Sequence, residues 1–311
     1  MYSDMKVAVA IPAYRAAKTV GGVVASLPAW IDFVVVVNDA SPDDTAAALE
    51  AIKDPRLTVI HHDKNRGVGG AMITAFRKVI DLGADVVVKL DSDGQMDPTE
   101  IGRLLDAIAK GGFDYAKGNR FLHSEALESM PKHRLIGSLA LTFLTKLASG
   151  YWHIFDPQNG FIACRVDVLK HIDLDSITSS YFFENDMLVH LNILQRRVTD
   201  IPMPARYGTE QSSMRIWRIM VSFPIRLFFR FWKRIYQRYV LRDFSPVAVF
   251  LSLGLPMLLW GPGFGAYAWY QSATSGIVTT AGTVMIAALP LIIGFQLVLQ
   301  AIVLDIQSTP R

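Results

Sequence analysis

From Phe244 to Leu304 the chain carries no Asp, Glu, Lys, Arg or His. A membrane-spanning helix needs about 20 apolar residues. The uncharged run is long enough for two, over about 246–270 and 277–304, with Gln271–Gly276 as the polar break. Helices of soluble domains keep a polar face, so a membrane pair is expected rather than a buried hairpin. Pro256, Gly261, Pro262, Gly263 and Gly265 crowd the first span. A kink or partial unwinding is expected near Gly261–Gly265, which membrane helices tolerate when neighbours re-satisfy the backbone. Trp260, Tyr267, Trp269 and Tyr270 suit an aromatic belt at one interface. Small residues in the spans permit helix association and a homo-oligomer.

Charge divides the 311 residues into three zones. Residues 1–209 hold 22 basic and 25 acidic side chains. Residues 210–243 hold eight basic ones, from Arg215 to Arg242, against Glu210 and Asp243. The remainder holds only Asp305 and Arg311. This predicts a globular domain over 1–210, basic amphipathic juxtamembrane helices over 211–243 and the apolar pair over 244–311. In the basic zone Ile216, Ile219, Met220, Phe223, Leu227, Phe228, Phe231, Ile235 and Tyr239 recur at helical spacing, with a break expected at Pro224. Such a helix lies in the headgroup plane, its cations against anionic lipid. Positive-inside logic places the globular part and both termini on the cytoplasmic side. The early apolar run Val7–Ile11 is too short for a signal peptide and is closed by Pro12 and Arg15. Cys164 is the only cysteine, which excludes a disulfide framework. A net charge of +3, with its basic part local, argues against nucleic acid as a partner. The seven histidines show no ligand spacing for zinc.

In the globular part, strand-like runs at Val7–Ile11, Phe33–Val37, Leu57–His61 and Asp85–Leu90 alternate with helical patterns at 17–27, 44–52, 67–80 and 98–110. That alternation predicts an α/β fold with a mostly parallel sheet. Further strands are expected at Phe113–Lys117, Phe161–Arg165 and Arg197–Ile201. Ligands of open α/β sheets bind beyond the carboxyl ends of the strands. The polar tips there are Pro12–Tyr14, Asn38–Ser41, Asn65–Gly70 and Asp91–Gln95.

The strongest local signal is Lys89-Leu-Asp-Ser-Asp-Gly-Gln95. Two carboxylates one residue apart at a strand end repel each other unless a cation joins them. Mg²⁺ or Mn²⁺ with a diphosphate completes such an oxygen shell. The glycines of Asn65–Ala71 open a helical run, and their N–H groups are candidates to receive a phosphate or simply to make a tight turn. Their spacing is not the dinucleotide-binding G-x-G-x-x-G.

These pieces resemble the family 2 glycosyltransferases of GT-A fold, in particular the polyprenyl-phosphate enzymes related to dolichol-phosphate mannose synthase. The resemblance rests on IPAY (11–14), VNDASPDDT (37–45), NRGVGGA (65–71), KLDSDGQMDP (89–98), KGNR (117–120), DPQNGF (156–161) and FFEND (182–186). It implies a nucleotide-sugar donor, UDP- or GDP-linked. It implies that Pro12, Tyr14 and Asp39, with Lys64, hold the nucleoside end, that Asp91, Asp93 and Gln95 form the metal and diphosphate cluster, and that Gln158 and Gly160 lie beside the donor sugar. Arg120 is then a cation for the phosphates, and Glu184 and Asp186 an acidic pair facing the acceptor. Arg15 and Ala16 stand where the family often has Asn-Glu, so one donor-contacting carboxylate is missing. Ser213 and Arg215, with Tyr207, Gly208 and Ser212 nearby, are expected to meet the acceptor phosphate.

The function expected is an inverting, membrane-anchored transfer of a sugar to polyprenyl phosphate, with a metal assisting departure of the nucleoside diphosphate. The catalytic set is Asp93, Arg120, Glu184 and Asp186. An enzyme acting on a saccharide hydroxyl of a lipid-linked glycan is the alternative. A non-catalytic nucleotide-sugar-binding membrane scaffold is a further one.

Overall fold

Val- and Ile-rich segments make one seven-stranded sheet, because β-branched side chains fit a pleated surface buried on both faces. The computed structural model describes residues 1–120, 132–204 and 216–310. They form two compact units, Met1–Phe231 with the last residues of the chain, and Trp232–Thr309.

In the first unit the strands are β1 (Val7–Ala13), β2 (Phe33–Asn38), β3 (Leu57–His61), β4 (Val86–Lys89), β5 (Tyr115–Asn119), β6 (Ile162–Arg165) and β7 (Val198–Pro202). Their order across the sheet is β3-β2-β1-β4-β6-β5-β7. All run parallel except β6, which is antiparallel to both β4 and β5. The helices of this unit are α1 (Val20–Ala25), α2 (Thr45–Glu50), α3 (Gly67–Asp81), α4 (Ile101–Ala109), α5 (Lys132–Ser149), α6 (Val166–Leu169), α7 (Phe183–Ile193) and the start of α8 (Ile216–Tyr236). Every strand expected from the sequence is present, and so are the first four helices.

Alternate residues of each strand feed two cores. Ala8, Ala10, Val35, Val37 and Val87 pack with Met72, Ala75 and Phe76 of α3 and Phe183 and Met187 of α7. Val7, Val9, Val34, Val36 and Val86 pack with α1 and with Ile101, Leu104 and Leu105 of α4. Each fully buried branched side chain contributes about 1.5–3 kcal/mol. The sheet is thereby clamped rigidly between two helical layers. The chain leaves β1 toward β2 and β3 on one side and returns to β4 on the other. Ligand crevices form at such a switch point.

The basic amphipathic segment differs from expectation in two respects. Pro224 does not break α8, which runs on to Tyr236. The boundary also falls near Phe231 rather than 210, because Phe223 and Leu227 pack on Phe182 and Ala148 of the first unit. Ile225, Phe228 and Phe229 stay exposed on the same helix.

The second unit holds a π-helical turn at Gln237–Arg242 and two long helices, α9 (Pro246–Ser275) and α10 (Ala281–Gln307). Both are long and apolar enough to cross a membrane. Most of their large side chains, such as Leu259, Trp269 and Ile292, face outward. The polar break begins later than expected, since α9 continues through Gln271–Ser275 and ends at Gly276 in a left-handed conformation, φ 69°. Helix α9 also stays helical through Gly261–Gly265, so the partial unwinding expected there does not occur. Gly261 has a packing role instead: a Cβ there would lie 2.8 Å from the Ala287 carbonyl oxygen, so this glycine seats α9 against the backbone of α10. Near the end of α10, Asp305 accepts from Arg234 at 2.6 and 2.9 Å and from the Tyr239 hydroxyl at 2.5 Å. A buried carboxylate so paired is fully satisfied.

Candidate active site

A cleft of about 650 Å³ opens at the carboxyl ends of β1, β2 and β4. Pro12, Ala13 and Tyr14 line it from β1, and Asp39 from β2. Asn65, Gly67, Val68 and Ala71 line it from the start of α3. Lys89, Asp91, Ser92 and Asp93 contribute from the end of β4. Gln158 and Gly160 form another wall, with Ser180, Tyr181 and Glu184. Phe223 of α8 completes it.

Asp39 is 3% exposed, and its carboxylate is already committed. It accepts from the Arg66 and Gly67 N–H groups at 2.8 Å each, and its Oδ1 lies 2.7 Å from Nδ1 of His62. Of the two readings of this glycine loop, a phosphate cradle or a tight turn, the contacts favour the tight turn. The Arg66 and Gly67 N–H groups are spent on Asp39, and the Gly70 N–H donates to the Ser179 carbonyl. Gly69 is required for close approach, because a Cβ there would lie 2.3 Å from the Thr178 carbonyl oxygen. Tyr14 is exposed at the cleft edge, with the Arg15 guanidinium 5.5 Å from its ring centroid. Ala16 is buried and donates its N–H to Thr45 Oγ1.

Beyond β4 the turn is tied by the Gln95 N–H donating to Asp93 Oδ1 at 2.9 Å, with Gly94 at φ 75°. Gln95 thus shapes the turn through its backbone; its side chain is not among those lining the cleft. Asp91 Oδ1 accepts from Lys89 Nζ at 2.7 Å, and Glu184 Oε1 lies 3.3 Å from the same nitrogen. Burial raises the Glu184 carboxyl above its ordinary range, Lys89 opposes that rise, and Asp91 adds to it. Among the described residues no group of three or more His, Cys, Asp or Glu is placed to hold a metal by itself.

The two carboxylates of α7 do not line the cleft together. Residues two apart on a helix point about 200° away from each other. Glu184 faces the cleft, whereas Asp186 is buried on another side of the helix. There Asp186 Oδ2 accepts from the Thr178 N–H at 2.8 Å, the Thr178 hydroxyl at 2.7 Å and Arg230 Nη2 at 2.7 Å. Both carboxylates are expected at the cleft, and Asp186 is not among the residues that line it.

Arg120 does not line the cleft either. It forks onto the carboxylate of Asp156, Nε at 2.8 Å and Nη2 at 3.1 Å. Burial works to raise that carboxyl, but the hydrogen bonds and charge of Arg120 outweigh it and hold it below the usual range. Lys117, fully buried, donates to the Asp156 carbonyl. Arg120 and Lys117 together fix the start of the loop that carries Gln158 and Gly160. Lys64 is exposed and is not among the residues lining the cleft. Ser213, Arg215 and the neighbouring Tyr207, Gly208 and Ser212 lie outside the described residues.

The glycosyl transferase family 2 profile matches residues 8–173, which include β1 to β6 and the Asp91–Asp93 turn. The chain belongs to glycosyl transferase family 2. This glycosyltransferase is 29% identical over 238 residues to a UDP-N-acetylglucosamine--dolichyl-phosphate N-acetylglucosaminyltransferase of Methanococcus voltae, covering 72% of this chain and 94% of that one. It is 35% identical over 173 residues to an undecaprenyl-phosphate mannosyltransferase of Micrococcus luteus, covering 55% of this chain and 70% of that one. Its fold is shared with glucosyl-3-phosphoglycerate synthase from Mycobacterium tuberculosis, crystallised with Mn²⁺, UDP and glucosyl-3-phosphoglycerate. That likeness has a TM-score of 0.56 at 16% identity, over 75% of this chain and 80% of the other.

Lys89 is the site residue that motif reading passed over. The signal was a lysine closing the run Val86-Val-Val-Lys89, since a cation at the end of a buried strand requires a partner. Tyr181 and Phe223 carry no local signal, because only the tertiary fold brings them to the cleft.

Proposed function

We propose that this glycosyltransferase moves a sugar from a nucleotide donor to polyprenyl phosphate at the cytoplasmic face of a membrane, with inversion at the anomeric carbon. The observation carrying the reading is the cleft at the β1/β4 switch point, lined by Tyr14, Asp39, Asp91, Asp93 and Glu184. The names of the Methanococcus and Micrococcus relatives support a lipid-phosphate acceptor. Two outward-facing apolar helices and the arginines of α8 support anchoring, with α8 in the headgroup plane and both termini on the cytoplasmic side. Ser213 and Arg215 are assigned to the acceptor phosphate on sequence alone.

In this reading Pro12 and Tyr14 flank the nucleoside. Asp39 keeps the Asn65–Gly67 loop in the shape that receives it. Asp91 and Asp93 present oxygen ligands at an open edge, which suits Mg²⁺ or Mn²⁺, since such ions take one or two carboxylates and complete their shell with phosphate and water. When bound, that ion supplies charge stabilisation to the departing diphosphate. Gln158 orients the sugar, and Arg120 acts by holding Asp156 and with it the Gln158 loop. An acceptor phosphate oxygen forms the new bond to C1 of the sugar as the bond from C1 to the diphosphate oxygen breaks. The electron pair leaves with the nucleoside diphosphate. A phosphate is ionised at neutral pH, so no general base is needed.

A hydroxyl acceptor is a second reading, favoured by one observation: Glu184 is a cleft carboxylate whose burial makes it more basic. Purified full-length protein, given UDP- and GDP-sugars and undecaprenyl phosphate with Mn²⁺ or Mg²⁺, separates the two. Transfer to the lipid phosphate, lost in Asp93→Ala and kept within about tenfold in Glu184→Gln, is expected. Transfer only to a glycolipid hydroxyl, reduced about 10²–10⁴-fold in Glu184→Gln, would establish the second reading instead.

A further inference from the structure

Lys89 is the last residue of β4, between β1 and β6, and is 1% exposed. Burying an ammonium is costly unless it is paired. Its nitrogen finds two carboxylates, Asp91 Oδ1 at 2.7 Å and Glu184 Oε1 at 3.3 Å. Gly160 makes room for it, since a Cβ there would lie 2.2 Å from Lys89 Nζ and 3.2 Å from Asp91 Oδ2. The end of β4, the first turn of α7 and the loop before β6 thus converge on one cation in the cleft wall.

This arrangement has an electrostatic consequence. Asp91, Asp93 and Glu184 would present three negative charges to a bare divalent cation. Lys89 cancels one and occupies an oxygen of Asp91. A nucleoside diphosphate restores the lost attraction by bringing anionic oxygens of its own. We propose that Lys89 sets the charge of the metal site so that a divalent cation is held firmly only together with the nucleotide diphosphate. The proposal rests on the reading that Asp91 and Asp93 hold such a cation. It makes Lys89 a positioning residue that acts through Asp91 and Glu184.

The test is Mn²⁺ binding to detergent-solubilised full-length protein, followed by the electron paramagnetic resonance signal of free Mn²⁺, with and without UDP or GDP. The wild type is expected to bind Mn²⁺ weakly alone and much more tightly with one of the nucleotides. Lys89→Met is expected to bind Mn²⁺ alone at least about tenfold more tightly, because one positive charge a few ångströms away is gone. Glu184→Gln is expected to shift affinity the opposite way. If Lys89→Met does not fold with Glu184 left uncompensated, the double variant Lys89→Met/Glu184→Gln replaces it. Compared with Glu184→Gln alone, it should again bind about tenfold more tightly. A lysine that merely packs the cleft wall would give the reverse, looser Mn²⁺ binding on its removal with and without nucleotide. That result, or unchanged affinity, overturns the proposal while wild-type binding upholds the metal reading. Absence of any Mn²⁺ uptake by the wild type with either nucleotide overturns both.

Discussion

Replacing Asp186 by asparagine separates a stabilising carboxylate from a catalytic one. Asp186 is fully buried, and one oxygen accepts from Thr178 N–H, Thr178 Oγ1 and Arg230 Nη2, all within 2.8 Å. Hydrogen bonds to a charged group contribute about 1.5–3 kcal/mol each, against about 1 kcal/mol for neutral ones. Asparagine keeps an acceptor in place but removes the charge. Arg230 is partly exposed and recovers some hydration, its side chain being 23% accessible. The net cost should therefore fall below the roughly 3–5 kcal/mol of a fully buried broken pair, at about 2–3 kcal/mol. For a domain of this size that lowers Tm by roughly 5–10 °C. Circular dichroism melting of the full-length protein, paired with initial transfer rates well below Tm, checks it. The expected result is a lower Tm with kcat within a few-fold of wild type. An unchanged Tm with kcat reduced a hundredfold or more, about 3 kcal/mol of transition-state stabilisation, would refute the placement of Asp186 outside the chemistry.

Gly160→Ala should fold, because the atom it displaces is the flexible end of Lys89, yet lose most transfer activity; a melting curve and a rate measurement together check this. Gly69→Ala meets rigid backbone at 2.3 Å instead, and should cost several kcal/mol or prevent accumulation of folded protein, as seen by size-exclusion chromatography. The Arg120–Asp156 pair predicts a pH dependence. The Asp156 carboxyl is held below its ordinary value in the folded state, so the unfolded chain takes up its proton first. The stability it contributes is present above about pH 4 and lost as pH falls through the folded value. Arg120→Met should therefore destabilise at neutral pH, with the difference from wild type shrinking in acid, measured by urea unfolding across pH. A difference that grows in acid would contradict that pairing.

The α/β core was legible because its periodicities are physical. Short, uninterrupted, β-branched Val runs at 34–37 and 86–88 read as strands covered on both faces, and the order of strand tips follows from the chain. The position of Asp91 and Asp93 at a strand end was equally readable. Where sequence reading went astray, tertiary contacts had overridden local rules. Pro224 looks like a break and Gly261–Gly265 like an unwound stretch, yet α8 and α9 stay helical there, with Phe223, Leu227 and Gly261 packed on neighbours. Glu184 and Asp186 look like one motif, but a helix separates them by its own geometry. Asp39 reads as a ligand contact, and only the fold reveals how much of its hydrogen-bonding capacity is spent on Arg66, Gly67 and His62. Lys89 could not be paired from sequence because Glu184 lies far along the chain.

The most direct test is the bond that forms. Undecaprenyl phosphate, incubated with the purified enzyme, the divalent cation and the accepted nucleotide sugar, should be followed by ³¹P NMR. Loss of the lipid phosphomonoester resonance, with a new phosphodiester resonance appearing in step with free nucleoside diphosphate, is the expected result. Release of nucleoside diphosphate while the lipid phosphomonoester stays unchanged would contradict a phosphate acceptor.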